Sequence, residues 1–455
     1  MPELLEPSPP ASETESGGLR RSLNLLDASL LVIGSVIGSG IFLTPSHIAR
    51  AVGSTEGFYL VWIVGGVLSL CGALSYAELG AAFPRAGGIY VFLREAYGPL
   101  LGFLYGWCNF FVMQTGSIAT LSAAFSIYLG YLIPLSPALA KGCSAAMILA
   151  LTALNCLGLK PGTIVQNILT TIKIGSLLGV ALVLFLADPT SPAPGAAAPP
   201  AAPFSLSAFG IAMIAVLWSY EGWHQLTFTA GEVKNPQRNL TGGLIIGTAS
   251  IIVLYLTVNV AYLNILSFSE VAHSERVASE AMARALGPLG GTLISLAILI
   301  SVTGATNPTV LGGPRVYYAM AREKLFFAKL AEVHPRFRVP VAAIVVQGLW
   351  ATTLSLMGNF EQLFGYVIFM AWIFYGLGGA AVLILRKSQP RLPRPYKVLG
   401  YPFVPLLFVL MAAGLVLNTV LNDFRQAFWG LAVLLTGIPA YLYWQRKAAR
   451  QAPSQ

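Results

Sequence analysis

Three glycines within seven residues mark the first place where this chain has the residue types for chemistry. The segment GSVIGSGIF, residues 34–42, lies inside a long apolar run. Each glycine weakens a helix by roughly 1 kcal/mol relative to alanine, so we expect the run to break at Gly38–Gly40. A break frees backbone N–H and C=O groups, which a membrane tolerates only where they line a cavity or meet a ligand. Close helix packing through small residues is the alternative interpretation.

A second interruption places ionisable groups inside another apolar run. The segment WSYEGWH, residues 218–224, contains Glu221, His224 and two tryptophans. An ionisable side chain inside a membrane-spanning segment is a functional hypothesis by default. The two interruptions lie in the first and sixth apolar runs, the spacing expected when a five-helix repeat recurs with inverted topology. Such paired interruptions are the best sequence indication of a transporter's central binding site.

Lys173 is the third candidate. It lies about eleven residues into the fifth apolar run, which is roughly 16 Å along a helix and therefore near the middle of a bilayer. A lone ammonium at that depth costs at least about 2.5 kcal/mol, so we expect it to have oxygen partners. A purely structural lysine is the alternative.

Twelve apolar runs must position these residues. Continuous apolar runs in a bilayer form helices or a closed barrel, because backbone polar groups find no water there. Barrel strands alternate apolar and polar residues, and these runs do not alternate. The sequence therefore predicts an all-α integral membrane protein with spans at 26–51, 57–82, 98–132, 139–159, 162–187, 206–232, 242–266, 288–320, 340–358, 361–385, 402–421 and 426–444.

The composition agrees with that prediction and gives an orientation. Of the 455 residues, 56% are hydrophobic and 10% are charged, whereas soluble domains carry about 25% charged residues. Of the 27 Lys and Arg residues, 21 fall on the side that holds both chain ends and five on the other. Cytoplasmic loops carry the basic excess, so we expect a multi-pass protein of the cell membrane with both termini cytoplasmic. The net charge of +9 is assigned to this topology and not to nucleic acid.

No residue pattern indicates catalysis. The cysteines match neither a disulfide framework nor a metal site; they are Cys71, Cys108, Cys143 and Cys156. The sequence contains no phosphate loop and no nucleophile with a matched base. We therefore predict no enzyme activity, no catalytic residue, no cofactor and no metal.

Two connections have a distinct composition. Residues 189–203 are rich in Pro and Ala and are expected to form an extended external linker. Residues 269–287 are mixed in polarity and prone to form helix, with an apolar stripe at Val271, Val277, Ala278, Ala281 and Leu286. A lid that caps the bundle and a plain surface helix both remain open for this segment.

At five motifs the chain resembles the amino acid–polyamine–organocation superfamily and, within it, the L-type amino acid transporters. The motifs are GSVIGSGIF, PRAGGIYVFLREAYG at 84–98, SYEGWHQLTFTAGEVKNPQRNL at 219–240, GATNPTVLGGPRVYYAMAREK at 304–324 and RPYKVLGYPFVP at 394–405. The resemblance implies a LeuT-type fold of two inverted five-helix repeats plus two helices. It assigns a disordered tail to 1–22, the repeats to 23–190 and 204–386, helices eleven and twelve to 387–447, and a tail to 448–455.

The resemblance also implies alternating access, usually as an exchanger of amino acids, and a set of site residues. The substrate carboxylate would meet backbone N–H groups beside Gly38, at Ser39, Gly40 and Ile41. Its ammonium would meet carbonyls around Val36, Ile37, Trp218, Ser219 and Glu221, with Trp218 as the gate. Lys173 matches the family's helix-five lysine, where sodium-coupled members of the fold hold a cation, so sodium-independent transport is implied. The acceptors expected for its ammonium are carbonyls near Gly34 and Ser35 and one hydroxyl in the eighth span, among Ser301, Thr303 and Thr306.

Three departures from the family's usual pattern bear on partners and substrate. Segment 133–137, IPLSP, has no cysteine where heteromeric light chains bind a heavy chain, so we expect no disulfide-linked partner. Glu221 stands where most L-type members have Gly or Asp, and Trp218 replaces the usual phenylalanine. The chain is therefore interpreted as a stand-alone, prokaryotic type, with an amino acid substrate and membrane lipid as its expected partners.

The residues and the resemblance together indicate three candidate functions. The favoured one is a sodium-independent exchanger of neutral L-amino acids. The second is a transporter of cationic amino acids or a polyamine on the same scaffold, because Trp218 and Glu221 suit a guanidinium or ammonium. The third is a non-transporting amino acid sensor, whose usual sign is a large cytoplasmic domain that this sequence lacks.

Overall fold

A computed structural model of the chain describes residues 21–187 and 205–450. The predicted N-terminal tail up to residue 20, the predicted linker at 189–203 and the end of the predicted C-terminal tail, 451–455, lie outside the described residues.

The first half of the chain forms eight α-helices. In order they are α1 (Leu25–Val36), α2 (Gly40–Val52), α3 (Thr55–Ala82), α4 (Ile89–Tyr97), α5 (Pro99–Cys108), α6 (Gln114–Leu132), α7 (Pro137–Cys156) and α8 (Leu159–Leu186). A π-helical turn, Asn109–Met113, joins α5 to α6, so the two form one continuous span. The predicted first span is therefore made of α1 and α2, with a bend of 44° between them.

The second half repeats this plan and then adds two helices. Its helices are α9 (Leu206–Ser219), α10 (Pro236–Ile265), α11 (Phe268–His273), α12 (Val277–Leu286), α13 (Pro288–Arg322), α14 (Val341–Met357), α15 (Phe360–Ser388), α16 (Phe403–Asn422) and α17 (Phe424–Arg450). Short 3₁₀ helices lie at Gln225–Glu232 and Ala328–Ala331. The predicted sixth span is α9 followed by a turn and the first of these 3₁₀ helices.

Helix length and composition fit a membrane protein. Within the described ranges, nine spans are long and apolar enough to cross a bilayer, and α1 with α2 makes a tenth as a bent pair. Helices α9 and α14 are shorter apolar helices of 14 and 17 residues. Each of the twelve predicted spans thus contains an apolar helix.

Polar caps set where several of these helices begin. Asn24 and Asp27 form a reciprocal capping box at the start of α1, which satisfies two backbone N–H groups that have no helical acceptor. Serine side chains cap α3, α7 and α9 more simply, because Ser54, Ser136 and Ser205 each accept one backbone N–H group of the first turn. These caps fix the start of α1 and α9, the two helices that end at the interruptions.

Amide side chains form hydrogen bonds between several helices. The amide of Asn155 in α7 donates to Asn307 in α13 at 2.8 Å, and Asn307 donates to Gln166 in α8 at 3.4 Å. Asn167 donates to Asp27 in α1 at 2.8 Å. Helices α7, α8 and α13 are therefore joined by buried amide groups, and a partly buried hydrogen bond joins α8 to the start of α1.

Helices α11 and α12 form a layer that packs on α2 and α13. Four of the five predicted stripe residues are buried there, namely Val271, Val277, Ala278 and Ala281, whereas Leu286 is 51% exposed because it is the last residue of α12. Arg284 forms an ion pair with Glu270 across the two helices. Hydrogen bonds from the Arg284 guanidinium lower the pKa of the Glu270 carboxyl to about 2.

At the opposite end of the bundle, residues 22–23, just before α1, meet the end of the sixth span. We call this end, which holds Lys234 and Arg315, the basic end. Leu23 forms a parallel β-bridge with Val233. The backbone N–H groups of Ser22 and Leu23 donate to the Glu232 carbonyl, and the N–H of Lys234 donates to the Leu23 carbonyl at 2.8 Å. The Glu232 carboxylate is buried and pairs with the buried Arg315 at 3.0 Å.

Candidate functional site

The first interruption lies at Ile37–Ser39, one residue earlier than expected from the glycine pattern. Helix α1 ends at Val36, and Ile37 is extended, with ψ at 90°. Gly40 is the first residue of α2. A Cβ on Gly40 would lie 2.8 Å from the Ser219 Cβ. Glycine is therefore needed at position 40 because α2 packs closely against α9, and not because the helix breaks there.

The start of α2 presents unpaired backbone donors. The N–H groups of Gly38, Ser39, Gly40 and Ile41 have no acceptor within the part of the chain that the structure describes. The first N–H groups of any helix lack intrahelical acceptors, and the macrodipole adds roughly half a positive charge at that end. An anionic group is therefore stabilised at this position, as at other helix N-termini.

The second interruption follows Ser219, where α9 ends. Gly222 has φ at +115°, a conformation that L side chains rarely adopt, and its backbone lies against α1. A Cβ there would be 2.8 Å from the Ser35 carbonyl oxygen. The Leu217 and Ser219 carbonyls at this helix end have no hydrogen-bond donor among the described residues. This C-terminal end therefore carries the partial negative charge that suits an ammonium group.

Two side-chain contacts hold the interruptions together. The hydroxyls of Thr44 in α2 and Ser219 in α9 are hydrogen-bonded at 2.6 Å. The indole N–H of Trp218 donates to the Ser39 hydroxyl at 3.3 Å. The positive end of α2 and the negative end of α9 thus lie side by side.

Lys173 ties the first interruption to α8. Its ammonium donates to the carbonyls of Gly34 and Ile37, both at 2.7 Å, and the side chain is buried. The hydroxyl expected from the eighth span does not bond the ammonium. Thr306 bonds its own helix, as Thr303 does, while Ser301 donates to the same Ile37 carbonyl at 3.3 Å.

A third helix also reaches this interruption. The Tyr255 hydroxyl of α10 donates to the Val36 carbonyl at 2.9 Å. The carbonyls freed by the break at Val36 and Ile37 therefore already have partners on α8, α10 and α13. Each carbonyl oxygen has two lone pairs, so these bonds reduce the share that a substrate ammonium can take at Val36 and Ile37.

A cavity lies where the two interruptions meet. Its twelve lining residues come from the two interruptions and the residues beside them, from α6 and from α13. Six of the residues proposed from the sequence line it, namely Val36, Gly38, Ser39, Gly40, Trp218 and Glu221. Ile37, Ile41 and Ser219 are buried beside it and are not in its lining.

Sequence reasoning missed half of the lining. The additional residues are Ser35, Ser117, Leu121, Gly222, Gln225 and Thr309. Ser117 and Leu121 lie on one face of α6 with Gln114, whose amide bonds the Gln225 side chain at 3.2 Å. The spacing of residues 114, 117 and 121 places them on one helix face, but the sequence does not show that this face meets the cavity.

Trp218 closes one side of the cavity. Its ring lies 6.0 Å from the Phe364 ring and 6.4 Å from the Phe360 ring, both in α15, and the residue is only 5% exposed. With its bond to Ser39, the indole connects α1–α2, α9 and α15. This placement is compatible with the gating role that the family resemblance implies.

Glu221 forms a polar cluster at the edge of the cavity with Tyr375 and His224. The Tyr375 hydroxyl donates to Glu221 Oε1 at 2.6 Å and lies 3.1 Å from His224 Nε2. His224 Nδ1 is 3.7 Å from Glu221 Oε1. The Glu221 side chain is 12% exposed and lines the cavity. The site therefore combines a donor end, an acceptor end and one carboxyl group.

Comparisons with known proteins agree on one family. The family model described as amino acid permease matches residues 23–438. The serine/threonine exchanger SteT of Bacillus subtilis is 36% identical, over 96% of this chain and 99% of that protein. The human b(0,+)-type amino acid transporter 1 is 32% identical, over 92% of this chain and 86% of that protein.

A further relative is more distant in sequence but matches over similar shares of both chains. The mouse large neutral amino acids transporter small subunit 2 is 29% identical, over 96% of this chain and 85% of that protein. These relatives are transporters and not enzymes, and the two interrupted helices, set one five-helix repeat apart, are those of the LeuT-type fold. With the family model matched from residue 23 to residue 438, this all-α multi-pass membrane protein belongs to the amino acid permease family.

Proposed function

We propose that this protein is a sodium-independent exchanger of neutral L-amino acids that works by alternating access. The observation that carries the proposal is the pair of helix ends at the cavity. The free N–H groups of α2 and the free carbonyls of α9 lie side by side, with Thr44 and Ser219 bonded between them. A zwitterion, with one negative and one positive group on a single carbon, matches that arrangement.

The substrate carboxylate binds at the start of α2. Gly38, Ser39 and Gly40 line the cavity, and their N–H groups are without acceptors among the described residues. The ammonium binds between the end of α9 and the Val36 carbonyl, which lines the cavity and keeps one lone pair beside its bond from Tyr255; the Ile37 carbonyl already has two donors. Trp218 covers the bound molecule from the side of α15.

The size and polarity of the cavity favour a small side chain. Leu121 and Trp218 narrow the cavity beside the two helix ends, and Ser117 and Thr309 add hydroxyl groups to its wall. SteT, a relative of similar length, is named a serine/threonine exchanger. L-Serine and L-threonine are therefore the first substrates that we propose for this chain.

Glu221 supports a second candidate, a substrate with a cationic side chain. Glu221 lines the cavity, and among the described residues its neighbours are the Tyr375 hydroxyl and His224, without an Arg or Lys partner, so its carboxylate attracts a guanidinium or ammonium. A cationic amino acid or a polyamine therefore remains the alternative substrate class.

Sodium independence rests on Lys173. The ammonium occupies the space between α1, α8 and α13 and bonds two carbonyls of the interrupted helix at 2.7 Å. A sodium ion in that space would need the same carbonyl oxygens and would meet a fixed positive charge. The ammonium therefore does constitutively what a coupling cation does in sodium-dependent members of the fold.

Orientation and partners follow from the sequence. We propose that the basic end faces the cytoplasm, since the basic excess lies on the side of the chain ends. We also propose that the chain acts without a disulfide-linked heavy chain. The connection between α6 and α7, residues 133–136, has no cysteine.

Exchange into proteoliposomes tests the proposal. Liposomes preloaded with unlabelled L-serine should take up labelled L-serine or L-threonine, whereas empty liposomes should take up little. Replacing sodium by choline on both sides should leave the rate unchanged. Equal uptake into preloaded and empty liposomes would contradict exchange. Uptake that stops without sodium would contradict the assigned role of Lys173.

A further inference from the structure

We propose that Glu221, Tyr375 and His224 form a proton-binding site on the wall of the substrate cavity, and that its proton leaves when a substrate with a cationic side chain binds. The inference rests on the proposed function, since it needs an amino acid in the cavity. It extends that function by naming a third exchanged species, the proton.

The hydrogen bonds of the cluster define where the proton belongs. With Glu221 ionised, the Tyr375 hydroxyl donates to its Oε1 at 2.6 Å. The Tyr375 oxygen is then free to accept the Nε2 hydrogen of His224 across 3.1 Å. This chain of donors leaves the hydrogen of a neutral imidazole on Nε2, so that Nδ1 is an acceptor.

One position in the cluster is short of a proton. His224 Nδ1 is buried and has no hydrogen-bond partner among the described residues, and it lies 3.7 Å from Glu221 Oε1. Two acceptors face each other there with no hydrogen between them. One added proton, on either the carboxylate or the imidazole, creates a donor for the other and closes the gap toward hydrogen-bond distance.

The surroundings offer no other compensation for the charge of Glu221. The titratable groups that face the cluster from α3, α5 and α15 are the tyrosines Tyr76, Tyr105 and Tyr375, which are neutral donors. In the described part of the chain, the ion pairs of Glu221 are limited to His224. A buried carboxylate without a cation is strongly disfavoured. The Glu221–Tyr375–His224 cluster therefore holds a proton when no substrate is bound in the cavity.

A cationic side chain in the cavity changes that balance. Glu221 lines the cavity, so a guanidinium bound there lies against the carboxylate. The guanidinium supplies the positive charge that the proton supplied, and an imidazolium beside it would be repelled. The proton then passes from the space between Nδ1 and Oε1 to water, and the summed charge of cluster and substrate is unchanged.

The proposal fixes the stoichiometry of mixed exchange. A neutral substrate crosses with the cluster protonated, and a cationic substrate crosses with the cluster deprotonated. Entry of one arginine in exchange for one serine therefore moves one proton out of the liposome, and no net charge crosses the membrane. Serine-for-serine exchange moves no proton.

Proteoliposomes with a pH indicator in the lumen and a potential set by potassium and valinomycin test this stoichiometry. With serine inside and arginine outside, we expect about one proton to leave the lumen per arginine taken up, at a rate that does not depend on the potential. The result is independent of how the protein is oriented in the liposome. Arginine entry that is driven by a negative lumen and leaves the lumen pH unchanged would overturn the inference.

The pH dependence gives a second measurement. Because one proton competes with one cation, the ratio of arginine to serine transport should rise with pH by up to about tenfold per unit where the cluster titrates. Serine exchange without any arginine transport at any pH overturns the inference and leaves the proposed function standing. Absence of serine exchange itself overturns the proposed function, and the inference with it.

Variants separate the cluster from the general fold. Glu221→Gln should abolish the coupled proton movement and the pH dependence of the ratio. His334→Asn is the matched control, since that histidine stacks on Phe337 at the protein surface, and it should keep both. If Glu221→Gln does not fold, Tyr375→Phe removes only the bridging hydroxyl and should displace the pH range over which the ratio changes. An unchanged range in a folded Tyr375→Phe protein would contradict the proposed cluster.

Discussion

Replacing Lys173 by alanine should slow exchange far more than it weakens substrate binding. The lysine bonds the Gly34 and Ile37 carbonyls of the interrupted helix and is absent from the cavity lining. Its loss therefore removes a tie between α1 and α8 and leaves the substrate contacts in place. The same change also removes the fixed positive charge that excludes a sodium ion from this space.

The magnitude follows from the two bonds. The Ile37 carbonyl keeps the Ser301 hydroxyl as a partner, whereas the Gly34 carbonyl loses its only donor among the described residues outside its helix. Leaving one buried carbonyl unsatisfied costs about 1–3 kcal/mol. If the tie is made in only one of the two end states, their equilibrium shifts by about 5- to 150-fold, and the exchange rate falls by at least the lower figure.

The assay compares exchange rate per folded molecule with equilibrium serine binding, for wild type and Lys173→Ala. Lys141→Ala is the matched control, because Lys141 also donates to a carbonyl, that of Leu356, but on the exposed surface. We expect the control to behave as wild type in both measurements. Lys173→Ala protein with a normal exchange rate, or with binding reduced as strongly as exchange, would refute the reasoning.

Three further predictions concern other parts of the molecule. Gly40→Val should abolish serine binding, because a Cβ at this position would lie 2.8 Å from the Ser219 Cβ. Gly414→Val, where a Cβ meets no atom within 4 Å, should bind normally in the same assay. Arg315→Met should destabilise the protein by about 3–5 kcal/mol in thermal unfolding, since it leaves the Glu232 carboxylate buried and unpaired; an unchanged midpoint would contradict this. The Glu270–Arg284 pair should stabilise the α11–α12 layer above pH 4.5 and lose that effect as pH falls toward about 2. Hydrogen exchange in α11–α12 should rise over that range in wild type but not in Glu270→Gln.

The features that could be predicted from the sequence are those with a local physical cause. A glycine cluster weakens a helix wherever it occurs, so the first interruption was visible, although it was misplaced by one residue because Gly40 serves packing. The second was visible because ionisable residues are rare inside an apolar run. A mid-span lysine requires oxygen partners, and carbonyls of the interrupted helix supply them at Gly34 and Ile37. Four residues of the α11–α12 stripe were equally readable from their helical spacing.

What the sequence did not predict depends on contacts between distant segments. Glu221 was chosen because it is ionisable, but its partner Tyr375 lies 154 residues away in α15. Ser117 and Thr309 are ordinary residues of apolar helices, and only the crossing of α6 and α13 makes them cavity walls. The expected hydroxyl ligand of Lys173 failed for the same reason, since Ser301 reaches the shared carbonyl and not the ammonium.

The junction of Leu23 with residues 232–234 has a consequence for how the basic end opens. Its three hydrogen bonds join backbone to backbone, and together they stabilise this contact between residues 22–23 and 232–234 by about 1.5–4.5 kcal/mol. Alanine-scanning mutagenesis leaves all of these backbone donors and acceptors in place, so it does not detect the contribution of this junction. Proline at position 23 removes one N–H donor, as does an ester linkage at that position. A change to the backbone at position 23, and not a change of side chain, is therefore the way to weaken the junction at this end of the transporter.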